Sequence, residues 1–425
     1  MTAGGRRLRL PPVLRHRDFA LLWAGMSISL LGDGVLLVAL AWHVYSIGGT
    51  PSAMAAVGVA LTAPQLALLL VGGLVADRLP RRSVLLASDA VRAAALVGLT
   101  ALAASHVHAF WPLWVCAAGY GAATGFFGPA FDAVVPDLVP PEELDQANAL
   151  DQVVRPIVLR IAGPACGGLL VAAAGATAAF ALDTVTFIVS IACVGAIRYR
   201  STAVAAEQGL RAELVSGLRY VAAHSWLWAT FAAATGAYLL FIGPTEVLLP
   251  YVVKHSHHGS ARDLGLVLAS GGLGAVAAAS AVGIRGIPRR FITFTYATWT
   301  VGTLAVAGYG LATSTWQLAV ACAVVNGLEA AGAVAWGTAK HLLVPTALQG
   351  RVSSLDWFIS IALVPASYAL TAPVTAALGA RTTLIGAGVL GATVTWVFLY
   401  VPRVRDPERR PANRERRADP ASVAA

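Results

Sequence analysis

The chain has 425 residues, of which 57% are hydrophobic and only 12% charged. Soluble domains carry roughly 25% charged residues, so a shortage spread over the whole length excludes an ordinary soluble domain, alone or on a single anchor. The net charge of +9 is almost all arginine, since Lys254 and Lys340 are the only lysines. Those arginines punctuate apolar runs and build no soluble basic domain, which makes nucleic acid a poor reading of the charge, and no nucleic-acid partner is expected.

Taken from the N-terminus, basic residues precede an apolar run that continues from Phe19 past Val44 with no small-residue cleavage pattern. It reads as a retained first span, not a removed leader. Further apolar segments fall at 51–75, 83–104, 110–131, 151–173 and 177–197, and then at 226–251, 263–284, 291–311, 315–340, 351–376 and 381–401. A membrane helix needs about 20 apolar residues, so the pattern predicts an all-α membrane protein of twelve spans. The expected organisation is an N-terminal six-helix half (1–197), a cytoplasmic central loop (198–225), a C-terminal six-helix half (226–402) and a charged, disordered tail (403–425). Cys116, Cys166, Cys193 and Cys322 sit inside apolar runs and read as small hydrophobes.

The loops orient these spans. On one side lie Arg6, Arg7, Arg9, Arg15 and Arg17, then Arg78, Arg81 and Arg82, and later Arg198, Arg200, Arg211, Arg219, Arg285, Arg289, Arg290 and Arg351. The other side holds little beyond Lys254, Arg262 and Arg381. This asymmetry places both termini in the cytoplasm. Leu138-Val139-Pro140 recurs as Leu343-Val344-Pro345, and Leu150-Asp151 as Leu355-Asp356, each 205 residues later. The shared offset favours an internal duplication, a common plan among transporters.

Between the second and third segments lies Gly73-Leu74-Val75-Ala76-Asp77-Arg78-Leu79-Pro80-Arg81-Arg82. Gly73, Asp77, Arg78, Arg81 and Arg82 stand in register with Gly-x-x-x-Asp-Arg-x-Gly-Arg-Arg, the loop signature of the major facilitator superfamily, with Pro80 in place of glycine. The chain resembles that superfamily of secondary transporters over nearly its whole length. Pro136-Asp137-Leu138-Val139-Pro140, Ala147-Asn148-Ala149-Leu150, Ser29-Leu30-Leu31-Gly32-Asp33 and Gly217-Leu218-Arg219-Tyr220-Val221 are similar to the branch that contains macrolide-efflux proteins and the enterobactin exporter. Gly163-Pro164-Ala165-Cys166-Gly167-Gly168 is similar to the core of that superfamily's antiporter motif, with Leu159 where a further glycine is expected. The resemblance implies alternating access, and a gating loop at 73–82 that latches onto the eleventh helix. Asp356 is the expected partner for Arg78 or Arg82, and Asp151 for Arg289 or Arg290.

An ionised side chain at the bilayer centre costs about 2.5–3.5 kcal/mol on insertion scales, so the acids inside spans are informative. Asp33, Glu246 and Glu329 fall in the first, seventh and tenth predicted helices, which line the central cavity in the resembled fold. They are the candidates for proton coupling or substrate binding; the alternative is a carboxylate paired within a static bundle. Trp42, Tyr120, Arg160, Tyr238, Asn326 and Trp336 are candidate cavity-lining residues. Asp89 and Arg92, three apart, read as a local ion pair, and Asp183 as a cap or anchor. His255, His257 and His258 read as an exposed loop.

No Gly-Lys-[Ser/Thr], His-Glu-x-x-His or Gly-x-Ser-x-Gly motif occurs. The expectation is therefore not an enzyme, with no cofactor and no metal, driven by an ion gradient. Its expected partners are a small-molecule substrate, protons and the lipid bilayer, and the unit a monomer in the inner (plasma) membrane. A proton-coupled exporter of bulky amphipathic compounds fits best; the alternatives are an importer or facilitator of a small metabolite, or a membrane sensor or enzyme.

Overall fold

In the computed structural model, residues 12–105, 109–198 and 210–409 are described. Among them the chain is helical, with no strand. The helices are α1 (Arg17–Ser46), α2 (Pro51–Arg78), α3 (Arg81–Ala104), α4 (Trp111–Leu138), α5 (Leu144–Ile157), α6 (Gly163–Gly195), α7 (Leu210–Ala223) and α8 (Ser225–Tyr251). They continue as α9 (Ala261–Arg285), α10 (Phe291–Ala305), α11 (Ala307–Leu311), α12 (Thr315–Leu343), α13 (Thr346–Ile361), α14 (Val364–Leu378), α15 (Ala380–Phe398) and α16 (Asp406–Arg409).

Local chemistry sets the breaks. Thr50 caps α2 by accepting from the Ala53 N–H, and Pro51 at the first helical position gives up no needed donor. Pro156 removes a helix hydrogen bond in α5, and the backbone widens just beyond it into a π-turn at Val158–Ala162 before α6 begins. Within α6, Gly175 adopts φ +80°, the left-handed region that a Cβ disfavours, and breaks the helix there. Residues 403–409, expected as the start of a disordered tail, are ordered. They form a turn and α16, whose Glu408 carboxylate accepts from the Thr293 N–H (2.5 Å) and hydroxyl (2.8 Å).

Among the described residues, nine helical stretches are long and apolar enough to cross a membrane. One of them, Pro141–Gly195, runs for 55 residues. At 1.5 Å per residue that is far more than one bilayer crossing needs, and Gly175 divides it. Large apolar side chains stand exposed along the helices, among them Val97, Val115, Ile188 and Val320. In water such a surface would aggregate; here it is the lipid-facing side of a multi-pass membrane protein.

The chain folds as two compact units. The first comprises Met1–Glu207, Val247–Gly272 and Thr371–Pro373; the second, Gln208–Glu246, Leu273–Leu370 and Val374–Ala425. In the first, α1 packs along α6, α2 along α4, and α3 against both α4 and α6. Its core holds Leu22, Met26, Leu85, Phe131 and Val134. In the second, α10 packs against α12 and α15 around Trp226, Phe231, Tyr296 and Trp336.

Candidate functional site

The first unit buries a set of polar side chains that its apolar helices bring together. On α1, Asp33 is half-buried and accepts a hydrogen bond from the Tyr120 hydroxyl of α4. Asp33 also lies within electrostatic range of Arg92, Asp89 and Arg155. On α3, Asp89 and Arg92 pair, 0% and 3% exposed, so the expected ion pair forms and is sealed from solvent. The Ser190 hydroxyl of α6 donates to the other oxygen of Asp89 at 2.7 Å. The Arg92 guanidinium lies over Phe127 (4.2 Å) and Phe187 (4.5 Å), so aromatic faces share its desolvation. Asp183, read from the sequence as a cap or anchor, sits inside this set, fully buried, with Oδ1 accepting from Thr186 at 3.0 Å.

Close helix contact makes the set possible. At Gly32, a Cβ would land on the Asp183 carboxylate and the Thr186 hydroxyl. The Gly163–Gly168 motif at the start of α6 performs the same service. A Cβ at Gly163 would meet Gly34 Cα at 2.5 Å, and one at Gly167 would meet Val35 Cα at 2.9 Å, so both glycines seat α1 backbone. Pro164 lies between them, its ring near Gly34, and Gly168 faces Gly265 of α9 within the same unit. Of the other predicted residues here, Trp42 lines a pocket with His43, Ser46 and Gly175, and Lys254 Nζ stands 4.8 Å above its ring. Arg160 is exposed, in the π-turn.

The second unit holds a smaller feature. Glu329 on α12 is half-buried and accepts from the Tyr238 hydroxyl of α8 at 3.4 Å. Both line a cavity of about 40 Å³ together with Phe241, Trp299, Gly302 and Thr303. That is room for a few water molecules, each needing about 10–15 Å³. Glu246 is exposed, and Asn326 bonds back to the Cys322 carbonyl at 3.0 Å. Trp336, expected to line a cavity, is instead 5% exposed and packed in the core. Its indole donates to Asp356 at 2.8 Å, which fixes the ring against Trp226.

At the loop, Arg81 pairs with Asp137 (2.7 Å) and donates to the Ala133 carbonyl, and Arg82 donates to the carbonyls of Val194 and Gly195. The backbone of 73–78 continues α2; the side chains of Gly73, Asp77 and Arg78 lie outside the described ones. Asp356, named from the sequence as a latch partner, is held within its own unit by Lys340 at 2.5 Å. Asp151 pairs with Arg155 one turn on, and Arg289 is exposed. Sequence reasoning missed Thr186, Ser190, Lys340 and Trp299. Asp183, Thr186 and Ser190 recur at i, i+3 and i+7, one polar stripe on an apolar helix, and that was the available signal.

Apolar membrane helices with acids buried between them suit a transporter, since ionisable groups inside a membrane mark ion and substrate pathways. The chain belongs to the family described as transmembrane secretion effectors, whose model matches residues 10–420. It is 26% identical to the multidrug efflux pump Tap of Mycobacterium tuberculosis (strain ATCC 25618 / H37Rv), covering 92% of this chain and 95% of that protein. It is 22% identical to macrolide efflux protein A of Streptococcus pyogenes, covering 91% and 96%. The crystal structure of a bacterial homologue of the iron transporter ferroportin superposes with a TM-score of 0.66 at 15% identity, over 91% of this chain and 99% of that one, a likeness of fold.

Proposed function

We propose that this protein is a proton-coupled exporter of bulky amphipathic small molecules, such as antibiotics, siderophores or natural products. It works by alternating access as a monomer in the plasma membrane, with twelve spans in two six-helix halves and both termini cytoplasmic. The observation that carries this reading is Asp33, a carboxylate in mid-span of α1 held by Tyr120 between apolar helices. An acid there costs about 2.5–3.5 kcal/mol to insert, a cost that a reversible proton site explains. The arginine asymmetry of the loops supports the topology. The relatives, a multidrug efflux pump and a macrolide efflux protein, support export. Glu329, with Tyr238 and Trp299 around its cavity, is the second candidate acid.

Everted vesicles from an expressing, pump-deficient host test this. Addition of a macrolide or a lipophilic dye should dissipate an imposed pH gradient and drive accumulation, and Asp33→Asn should lower both by about tenfold or more. Uptake that ignores the gradient, or an Asp33→Asn protein that transports like wild type, would overturn the assignment. A susceptibility panel in the same host reads out the substrate class.

A further inference from the structure

The charges in the buried set of the first unit do not balance. Asp33, Asp89 and Asp183 lie around the Arg92 guanidinium, which Asp89 takes directly, and Arg155, the other cation within range of Asp33, is paired with Asp151. The remaining two acids are in different circumstances. Asp33 accepts the Tyr120 hydroxyl hydrogen, a bond that favours its ionised form. Asp183 is 0% exposed, its Oδ1 accepts only from Thr186, and its Oδ2 has no hydrogen-bond partner. An ionised carboxylate buried with a bare oxygen is among the most costly groups a protein interior can hold.

The titratable and charged groups that face Asp183 are Asp33 on α1, Arg92 with its partner Asp89 on α3, and Tyr120 on α4. None of them is a free cation. Gly32 leaves the space into which the Asp183 carboxyl projects, one residue from Asp33. Like-charged carboxylates that interact this way titrate as a pair, one taking up a proton so that the other can remain ionised.

We propose that Asp183 holds a proton while Asp33 is ionised, so that the coupling site is the Asp33–Asp183 pair and not Asp33 alone. This rests on the reading of Asp33 as the proton-coupling acid. The pair then has three occupancies, zero, one or two protons, each proton drawn from or released to water with no other bond made or broken. Arg92 and Asp89 form its fixed, neutral floor.

Infrared difference spectroscopy of the purified full-length protein in liposomes reads this without any substrate. Wild type should show a protonated-carboxyl C=O band at neutral pH. Asp183→Asn should lose that band, and Asp33→Asn should keep it while shifting the pH midpoint at which it disappears. Retention of the whole band in Asp183→Asn would overturn the proposal, as would an Asp33→Asn protein with an unmoved midpoint. Should Asp183→Asn fail to elute as a folded protein, Asp183→Glu retains a carboxyl and must displace the band; an unchanged band overturns the proposal equally. Sodium replaced by choline should leave the spectrum unaltered, and a sodium-dependent loss of the band would overturn the proton assignment in favour of a metal cation. Wild-type vesicles that never couple to a pH gradient would defeat the exporter reading itself, an outcome the spectroscopy distinguishes because it involves no transport.

Discussion

Each unit sets one carboxylate against one tyrosine, yet the two surroundings differ. Asp33 and Tyr120 sit beside a sealed ion pair, a second buried acid and two hydroxyls. Glu329 and Tyr238 sit at a small cavity walled by aromatic rings, with the hydroxyl 3.4 Å away. In the first unit a proton or charge added to one group is felt by several others in a medium of low dielectric. In the second, water can take up much of the change. The difference separates a cluster of interacting buried polar groups from an acid beside a small cavity, and it makes the two regions respond unequally to the same kind of substitution.

The largest contrast should come from Arg92→Met. It strips the counter-charge from Asp89, which is 0% exposed, and breaking such a pair on one side costs about 3–5 kcal/mol. Thermal unfolding in detergent should show the loss, and Asp89→Asn with Arg92→Met together should recover most of it. A single mutant as stable as wild type would mean that the buried charges of the first unit are not interdependent.

A second contrast uses the repeated Leu-Asp pair. Asp356 receives Lys340 and the Trp336 indole, with side chains of both ion-pair partners 15% exposed. Asp356→Ala leaves the buried Trp336 indole and the partly buried Lys340 ammonium unmet, and the expected cost is about 2–3 kcal/mol in unfolding free energy. Asp151, 205 residues earlier, pairs with Arg155 where the side chains are 24% and 40% exposed. Asp151→Ala should cost no more than about 0.5 kcal/mol. Equal losses by chemical denaturation would remove the distinction.

Much of this arrangement was legible in the chain. The apolar runs gave the helices because each residue faces either lipid or another helix, and both environments select the same side chains. The repeated Leu-Val-Pro marks the same local event twice. Leu138 and Leu343 end their helices, and Val139 and Val344 turn extended ahead of proline. Asp33 stood out because a mid-span acid needs a reason. Asp183 was misjudged because its meaning depends on Gly32, which lies 151 residues away and offers only a missing side chain. Trp336 was misplaced for a similar reason: an indole lines a cavity or a core according to where its N–H finds an acceptor, and Asp356 lies on the next helix.

Gly32→Ala probes the packing under the first centre. The added methyl meets the Asp183 carboxyl, and overpacking of this kind costs about 1–3 kcal/mol. The variant should lower thermal stability and also disturb the pH dependence of transport. A Gly302→Ala change in the second unit, where a new Cβ would meet Leu328 Cβ at 3.1 Å, should alter stability by less and leave the pH profile intact.

The last contrast separates the two phenols. Tyr120 is 7% exposed and bonds a carboxylate in the interior, so Tyr120→Phe should cost about 1.5–3 kcal/mol, the range for hydrogen bonds to charged groups. Tyr238→Phe removes a contact of 3.4 Å, at the far edge of hydrogen-bonding geometry, beside a cavity with room for water. Water can replace the phenol there, and the cost should stay within about 0.5 kcal/mol. Matched melting curves of the two variants decide the point. If Tyr238→Phe falls as far as Tyr120→Phe, Glu329 is held as tightly as Asp33 and the contrast between the two units is lost.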